Sequence, residues 1–254
     1  MKKALLLGVS LAAAGIAPAL AADLAHPYTK APAYTPLTIY NWAGFYIGLN
    51  GGGGSSHNCW DLTSLRGVPV AVGSVPEGCH DATGALAGGQ IGYRWQASNW
   101  VFGLEAQGDW ANFKGSNVSS AFVPAITNQT KIDSIGLFTG QVGYAWNNVL
   151  WYAKGGAALT HDKYNGIATA TGLALSQASE TRWGGVVGAG VEVGFAPCWS
   201  VAVEYDHLFM GSGNNSFTSF ATGAVTRTDS IKQDVDMGTV RINYTFGGPV
   251  VANY

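Results

Sequence analysis

Charge is scarce in this chain. Only 11% of its 254 residues are Asp, Glu, Lys or Arg, less than half the ~25% of an ordinary soluble domain. The formal balance is −2 and no stretch is basic, which argues against nucleic acid as a partner. Beyond the N-terminal region no unbroken apolar run reaches about 18 residues, so no membrane-spanning helix is written into the chain. A membrane protein lacking such helices has to close its sheet into a barrel, because lipid cannot satisfy an open strand edge. Cysteine is sparse too, at three residues. None sits at the expected N-terminal cleavage point, so a lipid anchor is not indicated. Gly51 to Gly54 lack the following Lys-Ser/Thr of a phosphate loop and read as a strand leaving for a loop.

What the chain has begins with an export signal. Met1-Lys2-Lys3 is basic, Ala4 to Ala17 is apolar, and Ala19-Leu20-Ala21 fits a small-x-small site, placing the cut after Ala21. Residues 22–41 carry Pro27, Pro32 and Pro36 and predict an extended periplasmic segment. From residue 42 to 246 the dominant signal is a period of two, the mark of strands. Residues 183–211 show it best. Trp183, Val187, Ala189, Val191, Val193 and Phe195 share one face, and Gly184, Gly188, Gly190, Glu192 and Gly194 share the other. After a break at Ala196-Pro197-Cys198, Val201, Val203 and Tyr205 oppose Ala202, Glu204 and Asp206. An apolar outside, a small or charged inside and aromatics near the turn suit a barrel in lipid.

The same pattern predicts strands near 43–52, 84–96, 100–111, 132–146, 149–160 and 234–246. Three short turns alternate with four long polar connections, which makes eight strands with both ends on the short-turn side. Trp42, Trp95, Trp100, Trp146, Trp151 and Trp199 fall beside those turns or the first strand's start, outlining one interfacial girdle.

Several of these segments resemble a known family. GAGVEVGFAPCWSVAVEYDH, NWAGFYIGLNGG, GLFTGQVGYAWNNVLWYAKGGAAL and RINYTFGGPVVANY are similar to stretches of the small outer-membrane β-barrel proteins of α-proteobacteria, the RopB-type outer-membrane immunogenic or porin-like family. The resemblance covers the strand-like segments and not the long connections. It implies an all-β, eight-stranded antiparallel transmembrane β-barrel of OmpA-like architecture in the outer membrane of a Gram-negative bacterium. It also implies a non-enzymatic, surface-exposed structural role with at most a narrow pore, and a tail, 247–254, beyond the last strand. Outer-membrane lipid, lipopolysaccharide and the barrel assembly machinery are the implied partners, and no cofactor is implied for this role. Some relatives are described as haem-binding, so a ligand-binding surface using His57, His80 and His161 is the alternative.

The candidate sites are few. Cys59 and Cys79, in what reads as the first long loop of an exported chain, default to a disulfide; neighbouring His57 and His80 leave a metal reading open. Cys198 is then a free thiol in a turn where the family usually has Asn or a similar turn-former. Glu105, Lys154, Glu192, Glu204 and Arg241 point inward at comparable heights and predict an interior polar network, with Arg241 reaching between Glu192 and Glu204. Gln90 and Gln141 share that layer. The family often has inward Arg at the positions of Thr139 and Gln141, so the network is expected to differ from the family's. The only candidates for an enzymatic dyad are His161-Asp162 and Asp206-His207, and they read as polar rim residues.

Overall fold

The computed structural model describes residues 40–247. The expected signal segment with its cut after Ala21, nearly all of the 22–41 segment and the tail past Gly247 lie outside the described residues. Within them the chain forms nine strands, not eight: β1 (Gly44–Leu65), β2 (Val68–Pro69), β3 (Val75–Ala97), β4 (Trp100–Val118), β5 (Ile126–Trp146), β6 (Val149–Ala168), β7 (Ala174–Ala196), β8 (Trp199–Ser219) and β9 (Val225–Phe246). The extra strand is the two-residue β2, which pairs only with the end of β1 through Ser64–Pro69 and Leu65–Val68. The long strands run antiparallel in sequence order, and β1 also pairs with β9, which closes the sheet on itself. Closure leaves no long strand with an unpaired edge.

The short turns are tight. Each puts a non-glycine residue in the left-handed region: Ser98 (φ 56°), Asn147 (φ 55°) and Cys198 (φ 67°). That twist suits a two-residue connection between right-twisted strands. At the other end the long loops expected from the sequence are mostly strand. The wall continues through residues 53–65, 75–83, 112–118, 126–131, 161–168, 174–182, 207–219 and 225–233, leaving short connections such as 169–173 and 220–224. The longest strands have 23 residues. At ~3.3 Å per residue and a tilt of ~40° they stand roughly 55–60 Å tall, about twice the height of an apolar lipid-facing band.

The outward face divides accordingly. Near the short turns Phe45, Ile47, Tyr93, Trp95, Phe102, Leu104, Val142, Tyr144, Val203, Tyr205, Ile242 and Phe246 are exposed, and Tyr244 is half-buried. Trp100 (52% exposed) and Trp110 (80%) mark the two edges of this band on β4. Their separation projects to roughly 25 Å of height, the thickness of the hydrocarbon-facing belt of such barrels. Trp183 and Phe209 stand with Trp110 as a second, outer aromatic edge. Cross-strand aromatic pairs brace the inner edge: Trp100–Tyr144 (ring centroids 5.6 Å), Trp199–Tyr244 (5.1 Å) and, across the closing seam, Phe45–Phe246 (5.7 Å). Above the band the outward positions turn polar, with Lys114, Lys131, Lys163, Ser179 and Lys232.

Candidate functional site

The lumen is the candidate site, and it is filled in layers. At the short-turn end Trp42 is 1% exposed and packs with Tyr40, Val101, Ala145, Leu150 and Tyr152. Its backbone N–H donates to Gln96 Oε1 at 2.9 Å. Trp42 therefore does not belong to the girdle. It precedes the first strand, and the chain carries it into the barrel mouth rather than around the rim. The other five, Trp95, Trp100, Trp146, Trp151 and Trp199, are exposed on the outward face beside the short turns.

Two charged layers follow. In the first, Arg94 donates to Glu192 at 2.7 Å, and Ser200 and Asn243 (2.9 Å) also donate to that carboxylate. The Arg94 guanidinium lies over the Tyr46 ring, 4.3 Å from its centroid. In the second, Lys154 sits 2.6 Å from Glu204, 3.2 Å from Asp206 and 3.6 Å from Glu105. Arg241 bridges Glu105 and Glu204 with one nitrogen on each. The hydroxyls of Tyr46 and Tyr152 donate to Glu105 and Glu204, both at 2.6 Å. Gly92 and Gly190 make room for these rings; a Cβ at either would lie 2.5 Å from the facing tyrosine.

The five expected interior residues are thus all buried, but not as one group. Arg241 does not reach between Glu192 and Glu204. Glu192 lies nearer the short turns and takes Arg94, while Arg241 spans to Glu105. Strand stagger is the physical reason: tilted strands offset the height of neighbouring residues, and counting from the turns ignores that offset. Gln90 bonds Asn50 (3.0 Å) and Asn243 (2.8 Å), whereas Gln141 donates to the Tyr46 hydroxyl at 3.2 Å. Asp206, Tyr46 and Arg94 complete the network. Each lies on the inward face that alternation defines, which is the signal that could have added them.

Above the charges the lumen turns apolar, contrary to the wholly small-or-charged interior expected. Leu86, Phe113, Ile132, Ile135, Leu137, Val186, Leu208, Val235 and Met237 form one buried cluster with Ala82, Ala158 and Met210. Next come Asp162, held by Thr160 (2.8 Å) and Gln233 (3.3 Å), and Arg182, which donates to the Ile231 carbonyl at 2.9 Å. An apolar layer of three aromatics, Trp60, Tyr164 and Phe217, with Ile231 covers these, with Trp60 edge-on to Tyr164 at 5.4 Å. At the outer end Arg227 lies between Glu77 (3.0 Å) and Asp229 (3.1 Å) and donates to Asn128 at 2.9 Å. Burial pushes the Asp229 carboxyl up to about 8; Arg227 opposes the rise and Glu77 adds to it.

The remaining candidates separate. Cys59 and Cys79 are disulfide-bonded, but in the wall rather than in a loop: they are register partners on β1 and β3. Cys198 is free and donates to the Gly247 carbonyl at 3.1 Å. His57 faces outward beside the disulfide. His80 is on the opposite face, buried between Asn117 (2.8 Å) and Thr130 (2.9 Å), where burial lowers its basicity despite the Asn117 bond. His161 points outward on β6. His161-Asp162 and Asp206-His207 cannot act as dyads, because consecutive strand residues face opposite sides: Asp162 and Asp206 are buried in the lumen. His207 instead bonds Asp236 at 2.6 Å, an oxygen it shares with the Tyr205 hydroxyl.

An antiparallel sheet closed on itself, girdled by aromatics and carrying charged layers inside the apolar band, defines a transmembrane β-barrel of the outer-membrane type. The chain belongs to the outer membrane protein beta-barrel domain family, whose model matches residues 7–246. It is similar to the 31 kDa outer-membrane immunogenic protein of Brucella melitensis, 28% identical over 93% of this chain and 97% of that protein; the Brucella suis protein of the same name matches equally. Among solved structures, the outer membrane protease OmpT of Escherichia coli (TM-score 0.52, 10% identity) and OprG of Pseudomonas aeruginosa (0.51, 12%) share the fold. Each alignment covers 80% of this chain and 97% of the other. The protein resides in the outer membrane of a Gram-negative bacterium, and its relatives include outer-membrane immunogenic proteins.

Proposed function

We propose that this protein is a non-enzymatic structural barrel that spans the outer membrane with a closed lumen and presents its outer half at the cell surface. The observation that carries this is the stack of filled layers. Two charged layers lie between an apolar layer around Trp42 and an apolar layer around Leu137 and Met237. Such a column leaves no continuous wet path and no open access for a substrate. The outer half, with its polar outward face, is what meets the environment.

Outer-leaflet lipid is the proposed partner around the band. Lys114, Lys131 and Lys163 are register partners across β4, β5 and β6, just above Trp110. Asp133, held by Lys131 (2.5 Å) and Lys163 (2.6 Å), offsets part of their charge. Like charges directly opposite each other are destabilising, so a cationic row at headgroup height suits phosphorylated lipid. The haem-binding alternative has less support, since His57, His80 and His161 do not converge.

Surface labelling tests the orientation. Thr222→Cys, in the 220–224 connection, is expected to react with an impermeant maleimide on intact cells, whereas native Cys198 and Ser98→Cys are not. Labelling of Cys198 with Thr222→Cys unreacted would invert the barrel. A haem titration giving a Soret shift that His57→Ala or His161→Ala abolishes would favour the ligand-binding alternative.

A further inference from the structure

On the outer face of the barrel, above the lipid-facing band, four side chains form a square across two strands. His57 and Cys59 on β1 are register partners of Asp81 and Cys79 on β3. Alternation by two puts all four on the same side of the sheet. With the cysteines bonded, the square is closed. We propose that reduction of this disulfide opens a metal site in which His57, Cys59 and Cys79 bind a thiophilic divalent cation, with Asp81 orienting the histidine.

The geometry is that of a ligand set held before the metal arrives. The His57 Nδ1 lies 2.7 Å from Asp81 Oδ1, and its Nε2 lies 3.4 Å from Cys59 Sγ. With the Nδ1–H donated to the carboxylate, the Nε2 lone pair faces the sulfur pair. A carboxylate behind a metal-binding histidine fixes ring and tautomer in this way. The histidine nitrogen and both sulfurs lie within 4.8 Å of one another. Tetrahedral zinc, with Zn–S of about 2.3 Å and Zn–N of about 2.0 Å, needs ligand atoms about 3.5–3.8 Å apart. The nitrogen, at 3.4 Å from Cys59 Sγ, is already close to that separation. The sulfurs must part and Cys79 Sγ must settle at ligand distance from the nitrogen, and with Cα atoms 4.1 Å apart side-chain rotation suffices. Three protein ligands leave a fourth position for water.

The surroundings suit the charge. Lys232 on β9 is the register partner of Cys59, and Asp234 that of His57. The lysine offsets a site containing two thiolates, while the carboxylate sits beside the imidazole. His80, next to Cys79 in sequence, takes no part, since it is buried in the lumen on Asn117 and Thr130.

The chemistry balances with an external dithiol as reductant. Two electrons and two protons pass from the dithiol to the disulfide, giving two protein thiols and the oxidised dithiol. Binding of the cation then displaces both thiol protons to solvent. Reoxidation by dioxygen, which takes the two thiolate electrons with two protons from solvent and leaves as hydrogen peroxide, re-forms the disulfide and releases the metal, so the site couples metal occupancy to redox state.

The test uses the full mature chain carrying Cys198→Ser, refolded in detergent micelles, with folding verified by heat-modifiable migration. One portion is reduced with a dithiol and desalted without air, and the other is left oxidised. Both are titrated with Zn²⁺ against a chromophoric chelator. The expected result is one zinc per reduced chain and none per oxidised chain. Asp81→Asn should weaken binding by about 10–100-fold, as loss of such a carboxylate does elsewhere, and His57→Ala should weaken it at least as much. Zinc should also slow air reoxidation of the unmutated square, a readout needing no variant. Equal binding by reduced and oxidised protein, or undiminished binding by His57→Ala, would overturn the site.

Discussion

Replacing Arg241 by Ala tests the lumen's charge network at its most connected residue. Arg241 is 1% exposed and bridges Glu105 and Glu204. Without it, Glu105, Glu204 and Asp206 share Lys154 as their one close cation, at 3.6, 2.6 and 3.2 Å, with the Tyr46 and Tyr152 hydroxyls on Glu105 and Glu204. Removing one partner of a buried ion pair typically costs about 3–5 kcal/mol, because the other charge remains desolvated. That is a large share of an ordinary net stability of about 5–15 kcal/mol. Urea unfolding from vesicles, followed by tryptophan emission, should register the loss. The double change Glu105→Gln with Arg241→Met removes both charges and should lose less than Arg241→Ala. Conductance should stay low in all three proteins, because the apolar layers above and below the charges are untouched. A loss below about 1 kcal/mol for Arg241→Ala, against the several expected of a buried bridge, would show that the network does not hold the lumen together.

The other predictions follow from the ends and the wall. In unreduced, denatured protein only Cys198 should alkylate; reaction at three thiols would refute the Cys59–Cys79 bond. The chain-entropy model gives about 3 kcal/mol for closing such a loop, but these residues already pair within a long hairpin, so Cys59→Ser with Cys79→Ser should cost less. Asp229 is held protonated by burial well above its unfolded range, so the folded state binds the extra proton. Stability at the outer end should therefore fall as pH rises from about 4 to about 8. Asp229→Asn should flatten that slope in hydrogen exchange of the outer strands, and an unchanged slope would count against it. Phe246, outward-facing at the closing seam against Phe45, should not tolerate Asp; normal outer-membrane levels of Phe246→Asp would contradict its role in closure.

The half of the barrel in lipid was legible in the chain because two demands coincide there. Alternation names the strand, and an apolar outside against glycine or charge names its faces. Residues 183–206 show both. The outer half was not legible in the same way: positions such as Lys163, Ser179 and Asn214 face water, so the apolar signal ends while the strand continues. The apolar lumen layer left a different trace. Leu137-Phe138, Val186-Val187 and Leu208-Phe209 are apolar doublets, one residue in and one out, and they interrupt the alternation at comparable heights. Glu192 and Glu204 look adjacent when counted from their shared turn, yet they take different cations. Arg94 and Arg241 reach them from strands whose stagger no single hairpin reveals. Trp42 enters the lumen rather than the girdle, and proximity to the strand's start does not say which side of the wall a residue preceding it will take.

Single-protein conductance in a planar bilayer tests the closed lumen most directly. The filled stack from Trp42 to the Trp60 layer predicts that the wild-type protein inserts without large steps, since a closed wall of eight long strands, with the two-residue β2 only an appendage to β1, leaves room only for side chains. Large, long-lived openings of general-porin size would contradict it, for they would require these buried layers to be absent in the membrane.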